Sequence, residues 1–248
     1  MIDPQEIIHN DNGLVIRLGG NSLTPRHQAA PDYELLTGLL QLVTYCASRD
    51  RHVTIVMGGA GGHLFIEWAR KAGCSDASIN SVGSALIDIG AHILADQFAR
   101  NLAAESIACS PKPAKSIEEL LTLRRLFSVV ISGSGIRGAI SSDSLALLIS
   151  EAVRNPVLSI KQKLPFGSIT SRPDEIPSDH TCYVTLSEMR RLIEDDANEA
   201  RAGWHHSLDI WALQLLRRRD ARLSFTDSTS IKNFPENLRL TEVLKVTQ

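Results

Sequence analysis

The stretch that most constrains how this chain can fold is HVTIVMGGAGGHLFIEWARKAG, from His52 to Gly73. Val53 to Met57 is an uncharged apolar run, the pattern of a strand covered on both faces. Gly58, Gly59, Ala60, Gly61 and Gly62 follow at once. Leu64, Phe65, Trp68, Ala69 and Ala72 then recur at three- and four-residue spacing, which predicts a helix with those side chains on its buried face. A strand that turns through glycines into a helix can aim bare N–H groups and the positive end of the helix dipole at an anion, and glycine lets that anion approach closely. The same arrangement also serves as a close turn that binds nothing. No Gly-Lys-Ser/Thr follows, so this is not the Walker pattern, and the glycine spacing is not a clean dinucleotide fingerprint.

Two more turns of this kind lie along the chain. Leu14 to Leu18 is a short strand that runs into Gly19, Gly20, Asn21 and Ser22. Phe127 to Ile131 is another, followed by SGSGIRGAISSD (Ser132 to Asp143) and an apolar helix from Leu145 to Val153 that Ser141 or Ser142 can cap. Between the first two turns, Pro31 and Asp32 open a helix whose apolar side is Leu35, Leu36, Leu39, Leu40, Leu42 and Val43. The order strand, helix, strand, helix predicts parallel strands with helices on the sheet faces. In such open sheets ligands sit beyond the carboxyl ends of the strands, so three glycine turns at strand ends favour anion binding over a purely structural role.

Elsewhere the signals are plainer. Ile79 to Ala104 carries the longest helical pattern, and its Asp88, His92 and Asp96 fall four apart on one face. That spacing suits either a metal or a solvated polar stripe with helical ion pairing. Ser106 to Cys109 reads as a short strand, and Ser116 with Glu119 as a capping box. Val157 to Ile160 and Leu223 to Thr226 read as strands, Leu186 to Asp195 and Trp204 to Arg217 as helices. A net charge of −2 gives no global pull toward nucleic acid or an anionic membrane. Aromatic residues make up 5%, too few for base-stacking platforms. No apolar run approaches the ~20 residues of a membrane span, and the polar N-terminus does not resemble a secretory signal. Cys46, Cys74, Cys109 and Cys182 include no CxxC pair, which argues against a zinc site or a disulfide framework and fits reduced thiols in a cytoplasmic protein.

Taken in order, these segments resemble the amino acid kinase family, and within it the uridylate kinases. VIRLGGNSL looks like that family's first glycine turn and IVMGGAGGHLF like its second. GSGIRGAISSDSLALLISEA is similar to the uridylate kinase stretch in which two hydroxyl residues precede an aspartate. WHHSLDIWALQLLRRRDARLSFTD and FPENL resemble the late helix, strand and turn. The resemblance implies a three-layer α/β/α sandwich with a mainly parallel central sheet. It implies one domain over 1–248, with 1–153 as an acceptor-side lobe and 154–248 as a nucleotide-side lobe. It further implies ATP- and Mg2+-dependent phosphoryl transfer to a small anionic acceptor bearing phosphate or carboxylate. The implied assembly is a homo-oligomer from dimer to hexamer, or an assembly with a related subunit.

On this resemblance Arg17 stands in the place of a lysine found in many members, and Asp143 matches the aspartate that organises the catalytic charges. Gly19, Gly20, Gly58 and Gly59 would supply backbone donors. Asn21, Ala60, Gly61 and Gly62 complete the phosphate-binding turns, and Ser141 and Ser142 would sit by the acceptor phosphate. After the strand ending at Ile160, members carry an Asp-Val-Asp-Gly-Val-Tyr-like run. Here the chain reads IKQKLPFGSITSRP, and Lys161 and Lys163, in place of acids, become the candidate nucleotide contacts. Asn80 stands where uridylate kinases place an aspartate, and the arginine expected beyond the second turn is not evident. Asp143 after two serines favours a kinase. The altered loop and Arg17 favour a non-catalytic relative that binds a nucleotide or oxyanion, as in regulation or molybdate storage. GAHILADQFA (Gly90 to Ala99) is similar to a helix of the molybdenum storage proteins, and His63, His92, His205 and His206 could line an oxometalate cage. A redox enzyme on a Rossmann fold fits weakly, because no acidic residue is placed to take an adenosine ribose.

Overall fold

The computed structural model describes residues 12–24, 30–59, 62–134, 141–162, 181–185, 212, 214–216, 222–236, 238 and 240–244. Its strands are β1 (Gly13–Leu18), β2 (His52–Met57), β3 (Val129–Ser132), β4 (Val157–Lys161), β5 (Thr181–Thr185), β6 (Leu223–Asp227) and β7 (Leu240–Leu244). They form one sheet in the order β3-β2-β1-β4-β6-β7-β5. The first five of that order run parallel, β7 lies antiparallel to β6, and β5 returns parallel to β7. The helices are α1 (Gly20–Leu23), α2 (Tyr33–Ala47), α3 (Gly62–Lys71), α4 (Asp76–Ala103), α5 (Ile117–Leu123), α6 (Ser142–Val153) and α7 (Ser228–Lys232).

Side-chain alternation along each strand divides the core in two. Leu14, Ile16, Leu18, Val53, Ile55, Met57, Leu158 and Ile160 pack against α2 and α4 on one face. Val15, Val56, Val130, Val157 and Phe225 pack against α5 and α6 on the other. The result is the three-layer α/β/α sandwich expected from the strand-helix order. Local chemistry sets the helix starts. Asp32, Ser75 and Ser141 cap α2, α4 and α6 by accepting from the N–H three residues on. Ser116 accepts from Glu119 N–H, while the Glu119 carboxylate reaches back to Lys115 N–H at 2.7 Å, one residue beyond the usual box partner.

Several expectations change. The face of α3 is reversed: Leu64, Phe65 and Trp68 are 58%, 48% and 70% exposed, and Ala72 is exposed as well. Three- and four-residue spacing defines a stripe without saying which way it turns. Here α3 packs on α4, with Ala69 buried and the large side chains outside. Ser106 to Cys109 is not a strand: Ser106 has a left-handed backbone (φ 59°) and only Cys109 bridges to Val129. α4 is long and apolar enough, over an 18-residue stretch of mean hydropathy 1.2, to cross a bilayer by length and composition alone. One face of it buries Ile87, Ala91, Leu94, Ala95, Phe98 and Leu102 under the sheet. Burial pushes the Cys46 thiol up to about 11 and the Cys109 thiol up to about 12, so neither ionises near neutrality. The helix read over Leu186 to Asp195 lies outside the described residues. Of that read over Trp204 to Arg217, only 212 and 214–216 are described, and these are helical.

Candidate functional site

β1 and β4 are neighbours, and Arg17 and Ser159 are partners in their register. Both side chains, and that of Lys161 at the end of β4, share the strand alternation that points toward α6. Asp143, in the first turn of α6, meets all three. Lys161 Nζ donates to Asp143 Oδ1 at 2.9 Å and to Oδ2 at 3.0 Å. The Ser159 hydroxyl donates to Oδ1 at 3.2 Å. Arg17 Nη2 stands 3.3 Å from Oδ2, while Ser142 Oγ accepts from both Nε and Nη2 of Arg17 at 3.1 Å. Lys161 also lies over the Phe225 ring, 5.7 Å from its centre.

The cluster is nearly closed to solvent: the side chains of Arg17 and Lys161 are 12% exposed and that of Asp143 is 8% exposed. Burial alone would raise the Asp143 carboxyl. The Arg17 guanidinium and the Lys161 ammonium outweigh it and hold that carboxyl below its ordinary range. The start of α6 adds its dipole in the same sense. Arg17 and Lys161 thus both pair with the one Asp143 carboxylate, at the carboxyl ends of β1 and β4.

The glycine turns sit at the same pole but do not all offer donors. Gly19 N–H donates to Ile160 O at 3.1 Å, and Gly58 N–H donates to Leu18 O at 2.8 Å. These two amides extend the strand ladders, which corrects the expectation that both serve a ligand. The N–H groups of Gly20, Asn21 and Gly59 meet no acceptor among the described residues. A Cβ on Gly20 would fall 2.2 Å from Gly59 O, so the first and second turns touch and glycine is obligatory there. Arg17 Nη1 lies beneath Gly19, where a Cβ would stand 2.9 Å from it. Among the described residues Nη1 has no hydrogen-bond partner.

At the third turn, Ser134 N–H donates to Asp88 Oδ1 and the Ser134 hydroxyl donates to Oδ2, each at 2.6 Å. The polar stripe on α4 therefore resolves into separate local bonds. Asp88 serves Ser134, His92 Nδ1 bonds Asp88 O at 2.8 Å, and Asp96 pairs with Arg100. Ser141 Oγ accepts from Ser144 N–H at 3.1 Å as the cap of α6, and Gly62 opens α3 with ordinary room for a side chain. Ala60, Gly61, Lys163, His205, His206 and the side chain of His63 lie outside the described residues. Sequence reasoning named Arg17, Ser142, Asp143 and Lys161, and Asp88 as part of a polar stripe, but missed Ser159, the bond of Asp88 to Ser134 and the pairing of Lys161 with Asp143. The signal for that pairing was strand parity: Arg17, Ser159 and Lys161 keep the alternation of Val15 and Val157.

No family model matches the chain. A uridylate kinase of Methanoregula boonei is 26% identical over 228 residues, 91% of this chain and 90% of the relative. The solved uridylate kinase of Archaeoglobus fulgidus superposes with a TM-score of 0.64 at 18% identity, over 94% of this chain and 100% of that one. In sequence and in fold, the chain resembles the uridylate kinases of the amino acid kinase family. The likeness of fold extends to the carbamate kinase of Giardia, with a TM-score of 0.56 and 13% identity over 95% of this chain and 99% of that one. These likenesses span nearly the whole chain. The Arg17–Asp143–Lys161 cluster thus stands at the carboxyl ends of the strands in a sandwich whose fold is like that of the amino acid kinases.

Proposed function

We propose that the chain is an ATP-dependent kinase of a small molecule, related to the uridylate kinases, that moves the terminal phosphoryl group of ATP to a phosphate- or carboxylate-bearing acceptor. The observation that carries this reading is the buried Arg17–Asp143–Lys161 cluster beneath the first glycine turn. Phosphoryl transfer asks a protein mainly for positioned positive charge and backbone donors. Arg17 Nη1 and the amides of Gly20 and Asn21 are suited to hold phosphate oxygens, and Lys161 supplies a second cation. Asp143 pins both long side chains, so their charge is in position before substrate arrives. Its two oxygens are already taken by Lys161, Arg17 and Ser159, which suits a clamp and not a general base.

ATP, when bound, supplies the transferred group. The described residues at this pole fit its phosphates but give Mg2+ no uncommitted carboxylate, since Asp143 and Asp88 are both hydrogen-bonded within the protein. Mg2+ would then arrive on the nucleotide, coordinated by phosphate oxygens and water. We assign the acceptor to the side of 1–153 and the nucleotide to 154–248, with Ala60, Gly61 and Lys163 as further contacts. A nucleotide thermal-shift panel tests the reading. The wild type is expected to gain melting temperature with AMPPNP and Mg2+ and to turn over ATP with an acceptor. If millimolar AMPPNP leaves the transition unmoved, the kinase reading fails. Binding without turnover on any acceptor would mark a non-catalytic relative.

A further inference from the structure

Ser159 lies at the centre of β4 and is fully buried. Its register partners are Arg17 on β1 and Phe225 on β6, and the sheet face it shares also carries Val15 and Val157. Packing alone would favour alanine or valine in such company, because a buried hydroxyl is unfavourable unless it is hydrogen-bonded. Here the hydroxyl donates to Asp143 Oδ1 at 3.2 Å. Asp143 is therefore the physical reason for a serine at this place.

The bond bears on how the carboxylate divides its two oxygens. Lys161 Nζ spans both, at 2.9 Å and 3.0 Å. An ammonium is a compact charge with rotatable donors, so Lys161 alone sets no plane for the carboxylate. Arg17 reaches only Oδ2, at 3.3 Å. Ser159 breaks the symmetry, because its Oγ hangs on a single torsion from a strand paired along both edges. We propose that Ser159 is a positioning residue, which anchors Oδ1 so that Oδ2 stays turned toward Arg17 and the guanidinium stays beneath the first glycine turn. It acts through Asp143 and touches no substrate. Its consequence for turnover rests on the kinase reading, whereas the anchoring of Asp143 does not.

Three substitutions in the full chain separate the bond from the space it fills. Ser159→Ala removes the donor, and Ser159→Cys keeps the shape with only a weak donor. Ser159→Thr keeps the hydroxyl and adds a methyl group to a packed face. In steady-state turnover of ATP with UMP as the acceptor probe, the alanine and cysteine variants should lose about tenfold or more in kcat at a nearly unchanged KM for ATP, with threonine retaining most of the activity. The reverse order, cysteine near wild type and threonine poorest, overturns the proposal in favour of packing. Urea denaturation against pH needs no substrate. Burial works to raise the Asp143 carboxyl, while Arg17, Lys161 and Ser159 together hold it below its ordinary range. Loss of one donor lets it rise. The stability gap between wild type and Ser159→Ala should then be full at neutral pH and close as acid protonates Asp143 in the folded protein. A gap carried unchanged into strong acid also overturns the proposal. Should Ser159→Ala lack a cooperative transition, the cysteine variant is compared with the threonine variant in the same way. If the wild type turns over no ATP with UMP, AMPPNP binding judges the kinase reading and the pH dependence of the gap judges Ser159.

Discussion

Asp143 carries more of this molecule than any other single side chain, because two buried cations depend on it. Asp143→Asn would remove the counter-charge that Arg17 and Lys161 share, which costs about 3–5 kcal/mol for a buried pair broken on one side. The pH dependence follows from the direction of its shift. A carboxyl held below its ordinary value stabilises the fold fully above the unfolded value of about 3.9, and that contribution is lost as pH falls through the lower folded value. Urea denaturation of wild type and Asp143→Asn across acid to neutral pH should therefore show a constant gap above the ordinary carboxylate range, closing only below it. A gap that persists unchanged into strong acid would show that the charge is not what the variant lost. Lys161→Met should cut turnover on the order of 10²-fold, with Lys161→Arg recovering part of it and AMPPNP affinity falling much less, as steady-state kinetics beside titration would show. Equal losses in both would make Lys161 a simple nucleotide contact. Arg17 and Asp143 were legible from their motifs. Their bond to Lys161 was not, because it depends on β4 lying beside β1, a fact of topology that no local pattern states.

At the scale of elements, uncharged runs marked β2, β3, β4 and β6, and the apolar residues around Arg17 marked β1, each to within two residues, since a strand buried on both faces tolerates little else. Helix starts were legible for a similar reason: Asp32, Ser116 and Ser141 are side chains whose oxygens satisfy orphan N–H groups, and few residue types can do so. The outward turn of α3 was hidden, because a stripe of Leu64, Phe65 and Trp68 reads the same whether it faces a core or a partner. So were β5 and β7, which were not read as strands at all. Glycine shows most sharply how contact overrides propensity. In mid-helix, Gly38→Ala alone is expected to stabilise by about 0.5–1 kcal/mol. Yet a Cβ there would fall 2.0 Å from Ile231 O, where α7 crosses α2 beside the Lys232–Asp32 bridge of 2.6 Å. Overpacking of that kind costs roughly 1–3 kcal/mol, so the net sign reverses. The urea midpoint of Gly38→Ala should fall below that of wild type, and a rise would mean that α7 yields freely.

At the scale of the whole molecule, the described residues include an exposed apolar surface that spans two helices. Ile89 and Ile93 on α4 are 57% and 63% exposed, and α3, which packs against α4, adds Leu64, Phe65 and Trp68. Apolar side chains of this size gathered on adjoining helices mark an interaction surface. The geometry favours a second copy of the chain as occupant. Ile89 and Gly90 are the central residues of α4, each thirteen positions from its nearer end. A two-fold axis level with Ala91, within two residues of that centre, would set Ile89 of one copy against Ile93 of the other, and Ile93 against Ile89, as an isologous contact requires. We therefore propose a homo-oligomer built on α4. Size-exclusion chromatography with light scattering should give at least a dimer for the wild type, and Ile93→Glu should convert it to monomer with its circular dichroism intact, because the charge would be buried against the apolar Ile89 of the second copy. Trp68→Glu, off the axis, should weaken association less. A wild type that stays monomeric at concentrations well above micromolar would remove the second copy as the partner of this face, without bearing on the Arg17–Asp143–Lys161 cluster.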